Sequence, residues 1–255
     1  MANELDSLLS MFPPITLEEM SSIRLMKRTD TKFITNKGHL MKLLELAKEE
    51  YYVQEINGKR ISRYQTTYWD TNSHSLYAMH HDGKRPRTKV RVRTYVDSGI
   101  TFLEIKKKNN HNKTSKKRIE ITDEAILKND TCRQFISERT ALNPDELHPC
   151  IQNRFERITL VNRGKTERLT IDFNVQFHNL ETGEKGKENE LVIIELKRDG
   201  LVFSPIKQLL IQLRIKPFGF SKYCIGSLLM NKDLKRNLFK PKVIQIRKLV
   251  NSSTK

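Results

Sequence analysis

Long apolar runs, paired cysteines and an acidic excess are all missing from this sequence. Apolar runs are short; residues 191–194 form one that stops at Glu195, whereas a helix needs roughly 20 apolar residues to cross a bilayer. The three cysteines, Cys132, Cys150 and Cys224, are odd in number and widely spaced. Their spacing fits neither a disulfide framework nor a zinc site, and it favours a reducing compartment.

Signals for other protein classes are missing as well. The chain opens with Glu4 and Asp6 rather than with the basic region of a secretory signal. No second cluster at ligand spacing follows His74, His80 and His81, so we interpret these histidines as loop residues. No Gly-x-x-x-x-Gly-Lys-Ser/Thr segment occurs, which argues against a P-loop kinase. These absences predict a soluble, cytoplasmic protein without a transmembrane segment.

Positive charge, in contrast, is abundant. Lys and Arg number 47 against 30 Asp and Glu, so the formal net charge is +17. A positive field of this size predicts a polyanionic partner. Nucleic acid, an anionic membrane surface and a phosphorylated small molecule all meet that requirement.

A period of two dominates residues 60–197. In residues 168–177, apolar and polar side chains alternate, which predicts a strand with Leu169, Ile171, Phe173, Val175 and Phe177 on one face. Turns bearing Gly, Asn or Asp separate the segments of this kind. The predicted strands span residues 30–35, 63–70, 88–96, 100–107, 116–122, 153–161, 168–177 and 190–197.

Helices are predicted on both sides of these strands. Thr16 and Glu19 have the spacing of a capping box for a helix to about residue 24, and residues 38–50 form a second helix. A helical interruption is expected at residues 123–147, and helices return at Ser204 and Pro205. Residues 106–117 are predicted to be a mobile polar loop. We interpret residues 1–255 as a single domain with its core at about 16–231 and a basic tail at 232–255.

The strands carry their charges on one face. Lys89, Arg91 and Arg93, for example, lie opposite Val90 and Val92. A sheet with one solvated face explains this pattern. A closed sheet with its charges inside also explains the repeated Arg-x-Arg and Glu-x-Lys units and the flanking helices. This second interpretation predicts an α+β fold, a closed antiparallel β-barrel of about eight strands with flanking helices, whose interior would bind phosphates and leave carboxylates to hold a divalent metal.

Nine short segments occur in order from about residue 28 to residue 227. They are Arg28-Thr-Asp-Thr-Lys-Phe33, Tyr64-Gln-Thr-Thr-Tyr-Trp-Asp-Thr71, Lys89-Val-Arg-Val-Arg-Thr-Tyr95, Phe102-Leu-Glu-Ile-Lys106, Ser115-Lys-Lys-Arg118, Phe155-Glu-Arg157, Arg168-Leu-Thr-Ile-Asp172, Ile193-Ile-Glu-Leu-Lys197 and Phe220-Ser-Lys-Tyr223. Each segment is weak alone, but together they give the sequence a resemblance to a known family. It resembles the VTC domain, the polyphosphate polymerase module of the triphosphate tunnel metalloenzyme (CYTH-like) superfamily.

The resemblance implies a closed tunnel that transfers the γ-phosphate of ATP to a growing polyphosphate chain with Mn²⁺ or Mg²⁺. It implies that Glu195 holds the metal and acts in catalysis with Arg91, Arg93 and Lys222. It also implies phosphate- or ATP-binding roles for a set of basic residues. These are Lys32, Arg91, Arg93, Lys106, Lys117, Arg157, Arg168, Lys197 and Lys222.

Two departures from the family pattern bear on this assignment. The Tyr-x-Arg motif of the family is Phe155-Glu-Arg157 here, which removes a hydroxyl. The Glu-x-Glu pair of the triphosphatases is replaced by Asp30-Thr-Lys32, which favours the polymerase branch. No SPX-like sensor or membrane span accompanies the module, so a membrane-protein partner chain is an open expectation.

Two other classes of function remain open from the sequence. A tunnel triphosphatase or nucleotidyl cyclase would share fold and metal. A non-catalytic polyphosphate- or RNA-binding protein would account for the charge without a metal. Glu104, Glu120 and Glu195 lie on the basic faces and would repel a nucleic-acid backbone, so ATP and polyphosphate are the predicted partners and nucleic acid is not expected.

Overall fold

The computed structural model describes residues 2–21, 23, 28–111, 113–122, 125–200 and 202–251. It contains a large sheet with helices on both of its faces. The helices are α1 (Ala2–Ser10), α2 (Leu17–Ser21), α3 (Lys37–Ala47), α4 (Ser75–His81), α5 (Asp130–Arg139), α6 (Pro205–Gln212), α7 (Lys222–Met230) and α8 (Lys240–Asn251), with short 3-10 helices at Ile126–Lys128 and Pro144–Glu146. The strands are β1 (Pro14–Ile15), β2 (Arg28–Asn36), β3 (Tyr51–Gln54), β4 (Ser62–Thr71), β5 (Arg87–Tyr95), β6 (Thr101–Lys108), β7 (Thr114–Ile121), β8 (Leu147–Asn162), β9 (Glu167–Asn179), β10 (Lys185–Glu188) and β11 (Leu191–Asp199).

The main path of the sheet is antiparallel and runs β2-β11-β9-β8-β4-β5-β6-β7. Short strands extend it, since β10 pairs with β9, and β3 joins β8 to β1. Within the described ranges, β2 and β7 share no hydrogen-bonded pairing. The α+β class is therefore confirmed, whereas the closed barrel is not: hydrogen bonds leave the sheet open between β2 and β7.

Two apolar clusters cover the outer face of the sheet. Over β9 and β11, side chains from α1, α3 and α6 pack against residues such as Ile171 and Ile194, both fully buried. Over β5 and β6, Phe135 and Ile136 of α5 cover Val90 and Val92. Burial of this apolar area on the outer face is the main force that holds helices and sheet together. The charged face is consequently turned inward, as the alternation predicts.

Local signals place several helix ends where the sequence predicts them. The Thr16 backbone amide donates to Glu19 Oε2 (2.8 Å) and the Glu19 amide donates to Thr16 Oγ1 (3.2 Å), which confirms the capping box. Ser204 caps α6 with Pro205 at its first position. Helix α2 ends at Ser21, and residue 24, where the helix was predicted to end, lies outside the described residues.

A β-bulge overturns one prediction about β9. Two residues of β9, at positions 174 and 175, lie opposite Phe155 of β8, and Asn174 has a positive φ of 50°. The extra residue shifts the alternation by one position. Phe173 therefore packs in the outer cluster, whereas Val175 and Phe177 pack in a separate cluster with α7. The five apolar side chains from 169 to 177 do not share one face.

The structure also changes two expectations about loops. Most of the predicted mobile loop at 106–117 is strand, because β6 continues to Lys108 and β7 begins at Thr114. The basic tail folds in part into α8, whose Ile246 is 2% exposed in the cluster beneath α7. Residues 252–255 lie outside the described chain. Among the described residues, no helix is long and apolar enough to cross a membrane.

Candidate functional site

A cavity of about 540 Å³ opens on the inner face, between β2 and β11 on one side and β5 and β6 on the other. The segment at 217–221 and α8 complete its wall. Its two carboxylates are Asp30 and Glu195, against six cationic side chains. The cations are Lys32, Arg87, Lys89, Lys106, Lys108 and Lys242.

Neutral oxygens of the 217–221 segment position three of these cations. Lys32 Nζ donates to the Phe220 carbonyl (2.9 Å), Lys89 Nζ donates to Ser221 Oγ (2.9 Å), and Lys242 Nζ donates to the Gly219 carbonyl (2.8 Å). Carbonyl and hydroxyl groups orient an ammonium without cancelling its charge. The cavity therefore keeps a positive excess for an anionic ligand.

The crowding of cations alters the acidity of two cavity lysines. Burial, together with the nearby Lys32, lowers the pKa of Lys89 to about 8. The same two causes lower the pKa of Lys106 to about 8, although Lys106 remains accessible from the cavity. Both side chains are thus at the edge of deprotonation near pH 8, and a bound anion would favour their charged forms.

Glu195 is one of the two carboxylates that line this cavity. Its position on β11 pairs with Lys32 of β2 and with Thr170 of β9. Its Oε2 accepts a hydrogen bond from Lys197 Nζ (2.7 Å). Burial works against the charged form, but Lys197, Lys32 and Lys106 hold the pKa of Glu195 well below its usual range. Glu195 is therefore an ionised oxygen donor within a basic wall.

Two further carboxylates lie along the same inner face, and each bridges two cations. Arg157 binds Asp172 through two nitrogens, at 2.5 and 2.8 Å, and Lys222 of α7 contacts the same carboxylate. Glu104 accepts from Arg91 Nε (2.7 Å) and forms an ion pair with Lys116. Each group keeps one net positive charge, because one carboxylate meets two cations.

Arg93 lies between these two groups without a carboxylate of its own among the described contacts. Its Nε donates to Thr66 Oγ1 (3.2 Å), and its guanidinium lies over the rings of Tyr64 and Phe155. Burial and the neighbouring Arg91 lower the pKa of Arg93 to about 10, so it remains charged at neutral pH. Aromatic faces hold the guanidinium by cation–π attraction and leave its charge available.

The structure brings most of the predicted site residues to the inner face. Lys32, Glu195 and Lys106 line the cavity, and Arg168 of β9 lies in register with Lys197 of β11. Arg91, Arg93, Arg157 and Lys222 lie further along the face, in the groups described above.

Lys117 is the exception among the predicted residues. It is paired with Ile105, which is buried on the outer face of β6, and it lies away from the cavity. The adjacent Lys116 occupies the inner position and contacts Glu104. The sequence already indicates that Lys116 faces inward, because it shares a face with the charged Arg118, whereas Lys117 shares a face with the apolar Ile119.

Sequence reasoning did not assign a role to Asp172, Lys89 or Lys116. The alternation of residues 168–177 places Asp172 on the polar face. Its two cationic partners cannot be identified from the sequence, because they lie on β8 and α7, far from Asp172 along the chain. Lys89 was placed with Arg91 and Arg93, and this shared face is the signal that could have identified it.

The donor chemistry of Glu195 fits a hard divalent cation. Mg²⁺ and Mn²⁺ prefer oxygen ligands, and in phosphate-handling sites Mg²⁺ is bound through one or two carboxylates together with phosphate oxygens. Asp172 and Glu104 are each occupied by two cations. Glu195, in contrast, forms one ion pair among the described contacts, with Lys197, and its carboxylate would be able to hold a metal in the cavity.

The sequence profile of the VTC domain matches residues 27–231. The chain belongs to the VTC domain family. This match confirms the resemblance carried by the nine segments.

Two solved structures are similar to the chain at low sequence identity. A candidate adenylate cyclase from Bacillus halodurans is 12% identical, with 77% of this chain and 96% of that chain covered and a TM-score of 0.50. A candidate adenylyl cyclase from Hippeastrum, described as having a dominant triphosphatase activity, is 14% identical, with coverage of 81% and 97% and a TM-score of 0.49. The first likeness shows a shared fold. None of the curated proteins compared matches the chain.

Proposed function

We propose that this VTC domain is a polyphosphate polymerase that transfers the γ-phosphate of ATP to a growing polyphosphate chain. The observation that carries the proposal is the cavity itself. Neutral oxygens position three of its cations, as in the bond from Lys32 to the Phe220 carbonyl (2.9 Å), and the ionised carboxylate of Glu195 lies among them. A linear chain of phosphates supplies the repeated negative charge that such a wall lacks.

The basic residues divide the binding of phosphates between them. Lys32, Lys89 and Lys106 act at the cavity between the two sides of the sheet, with Lys197 and Arg168 at the adjoining β9–β11 pair. Arginine suits this task because its planar fork binds two phosphate oxygens at once. Arg91, Arg93, Arg157 and Lys222 bind phosphates further along the inner face.

The reaction needs positioning and charge neutralisation more than proton transfer. A terminal phosphate oxygen of the acceptor chain attacks the γ-phosphorus of ATP in line, and the bond from that phosphorus to the β–γ bridging oxygen breaks. ADP leaves with that electron pair, and the acceptor becomes one phosphate longer. Phosphate oxygens are ionised near pH 7, so no strong general base is required. Arg93 and Lys222 stabilise the charge that develops on the transferred group.

A divalent metal completes the proposed site. Mn²⁺ or Mg²⁺, when bound, neutralises charge on the phosphate oxygens and helps to align them. Glu195 would hold it from β11. Lys197, bonded to Glu195 Oε2 at 2.7 Å, orients the carboxylate toward that task.

Product analysis tests the proposal. The purified protein is incubated with ATP and Mn²⁺, and ADP, free phosphate and long-chain polyphosphate are each measured. The polymerase predicts ADP together with chains that an exopolyphosphatase degrades. Release of free phosphate without chains would instead indicate a tunnel triphosphatase. Absence of any ATP turnover, with polyphosphate still bound, would indicate a non-catalytic binding protein.

A further inference from the structure

Away from the cavity, three distant parts of the chain bring four metal-ligating side chains together. His74 lies between β4 and α4, His148 and Cys150 lie near the start of β8, and Glu181 lies in the turn between β9 and β10. None of these residues lines the cavity. Ligand atoms of His74, Cys150 and Glu181 all lie within 4.8 Å of one another.

The distance between the ligand atoms of His74 and Glu181 suits binding to a shared metal ion better than a direct hydrogen bond. His74 Nε2 lies 3.8 Å from Glu181 Oε2, which is too long for a hydrogen bond. In a tetrahedral zinc site, a nitrogen and an oxygen ligand each lie roughly 2.0–2.1 Å from the metal and are therefore about 3.3 Å apart. The observed separation needs to shorten by only about half an ångström to reach that value.

His148 supports Glu181 in the way that outer groups support metal ligands. Its Nε2 donates to Glu181 Oε1 at 2.6 Å. This bond occupies one carboxylate oxygen and leaves Oε2 directed toward His74. Hydrogen bonds of this kind orient ligating carboxylates in metal sites.

The remaining two side chains are held in place by the fold. Cys150 is 4% exposed, and its thiol contacts the His148 carbonyl at 3.4 Å. His74 occupies the N-cap of α4 with a positive φ of 51°, yet its side chain makes no capping hydrogen bond. The residues that usually cap a helix N-terminus are Ser, Thr, Asp and Asn, because their side chains accept a hydrogen bond from the first turn. Helix capping therefore does not explain why a histidine occupies position 74.

We propose that His74, Cys150 and Glu181 bind one Zn²⁺, with His148 as the residue that orients Glu181. Nitrogen, thiolate and carboxylate together favour zinc over Mn²⁺ and Mg²⁺, which prefer oxygen alone. The side chains of His74 and Glu181 are 23% and 26% exposed, which leaves a path for the ion and a fourth position for water.

The proposed role of the zinc is structural. Just before this site, Asp70 accepts backbone hydrogen bonds from Leu76 and Tyr77 of α4, both at 2.9 Å, and it also accepts the hydroxyl of Tyr223 of α7. An ion that joins β4, β8 and the β9–β10 turn would fasten the region on which α7 rests. It would act without touching the phosphate-binding cavity.

Metal analysis of the full-length protein tests this site without any assay of turnover. The protein is loaded with Zn²⁺, dialysed against excess Mg²⁺ and analysed for elements, and a Co²⁺ titration is followed by absorption. We expect one zinc per chain, a thiolate-to-cobalt charge-transfer band and the visible bands of tetrahedral Co²⁺. Zinc should also raise the unfolding temperature.

Variants assign the ligands. Cys150→Ala and His74→Asn should each weaken zinc binding at least about 100-fold, and His148→Ala about 10- to 100-fold, the range for an orienting partner. Asparagine tolerates the left-handed backbone at position 74. Cys132→Ala, which removes a buried thiol beneath α5, should bind zinc as the wild type does. Failure of the wild type to retain zinc, or a cobalt spectrum without the thiolate band, would overturn the proposal.

Discussion

Single lysines explain how the cavity keeps its charge. Lys32, Lys89 and Lys242 are held by two carbonyls and a hydroxyl of the 217–221 segment. Had carboxylates held them, each bond would have neutralised the cation that it positioned. Glu195 differs from these lysines because its neighbours are charged. Lys197 of the same strand donates a hydrogen bond to it, and its other charged neighbours are lysines of the cavity. Cations positioned by neutral oxygens, together with the ionised carboxylate of Glu195, provide the proposed chemistry.

Glu195→Gln should lower turnover at least about 100-fold, the scale for losing one preorganised charged group. The amide keeps the shape of the side chain but loses the charge that holds the metal. Circular dichroism should show the wild-type fold, whereas the unfolding midpoint should fall, because a carboxylate whose pKa is lowered on folding stabilises the folded state at neutral pH. Glu184→Gln, at an exposed turn, is the matched control. Full activity in excess EDTA would contradict the metal assignment.

Phosphate binding near pH 8 should take up protons. The pKa values of Lys89, Lys106 and Lys222 are lowered to about 8, first by burial. A bound polyanion raises these pKa values again, so each lysine gains up to about half a proton at pH 8. For the same reason, binding should weaken as the pH rises above 8.

Calorimetry of triphosphate binding in two buffers of different ionisation enthalpy measures this uptake. Lys106→Met should lower it by about half a proton. Lys107→Met, which changes the next residue on the opposite face of β6, should leave it unchanged. Equal uptake in the wild type and in Lys106→Met would show that Lys106 does not face the ligand.

At the level of strands, regular alternation is what the sequence predicts well. The β5–β6 hairpin and the inward direction of Arg91 and Arg93 follow from it. The bulge at Asn174 does not, because one residue with positive φ changes the face of everything after it. The contact between Lys222 and Asp172 also lies beyond sequence reasoning, since 50 residues separate them. The same reason hides the cluster of His74, Cys150 and Glu181.

The register of β7 predicts opposite outcomes for two adjacent lysines. Lys116→Ala should weaken turnover on the order of 10-fold, because Lys116 faces inward and pairs with buried Glu104. Lys117→Ala should behave as the wild type does, because Lys117 lies in register with outward Ile105. Steady-state kinetics compare the two variants. The reverse result would mean that β7 is shifted by one residue.

The close contact between α7 and β9 predicts the effect of a single methyl group. A Cβ on Gly226 would lie 2.4 Å from the ring of Phe177. Gly226→Ala should therefore destabilise the fold by about 1–3 kcal/mol, as overpacking does, and should lower activity by displacing Lys222. Denaturant unfolding measures the first effect. Gly38→Ala in α3, where the nearest atom is 3.6 Å away, should be neutral or stabilising. Equal stability of Gly226→Ala and the wild type would contradict the packing described.

At the scale of the whole molecule, composition and alternation predict the charged inner face but not whether the sheet closes. The net charge of +17 and the alternating strands correctly predict a sheet with a charged inner face. Whether the edges of that sheet meet depends on its twist and coiling, which alternation does not report. Among the residues that the structure describes, β2 and β7 are not paired with one another, and the cavity lies toward this opening.

We propose that the inward-facing charge of this molecule holds a linear chain of phosphates. Displacement of a labelled triphosphate tests it most directly, with ATP, triphosphate, polyphosphate and RNA as competitors at equal phosphate concentration. We expect ATP, triphosphate and polyphosphate to displace the label in mutual competition and RNA to compete weakly. RNA displacing the label while ATP does not, with a steep salt dependence, would contradict this proposal and indicate a nucleic-acid surface.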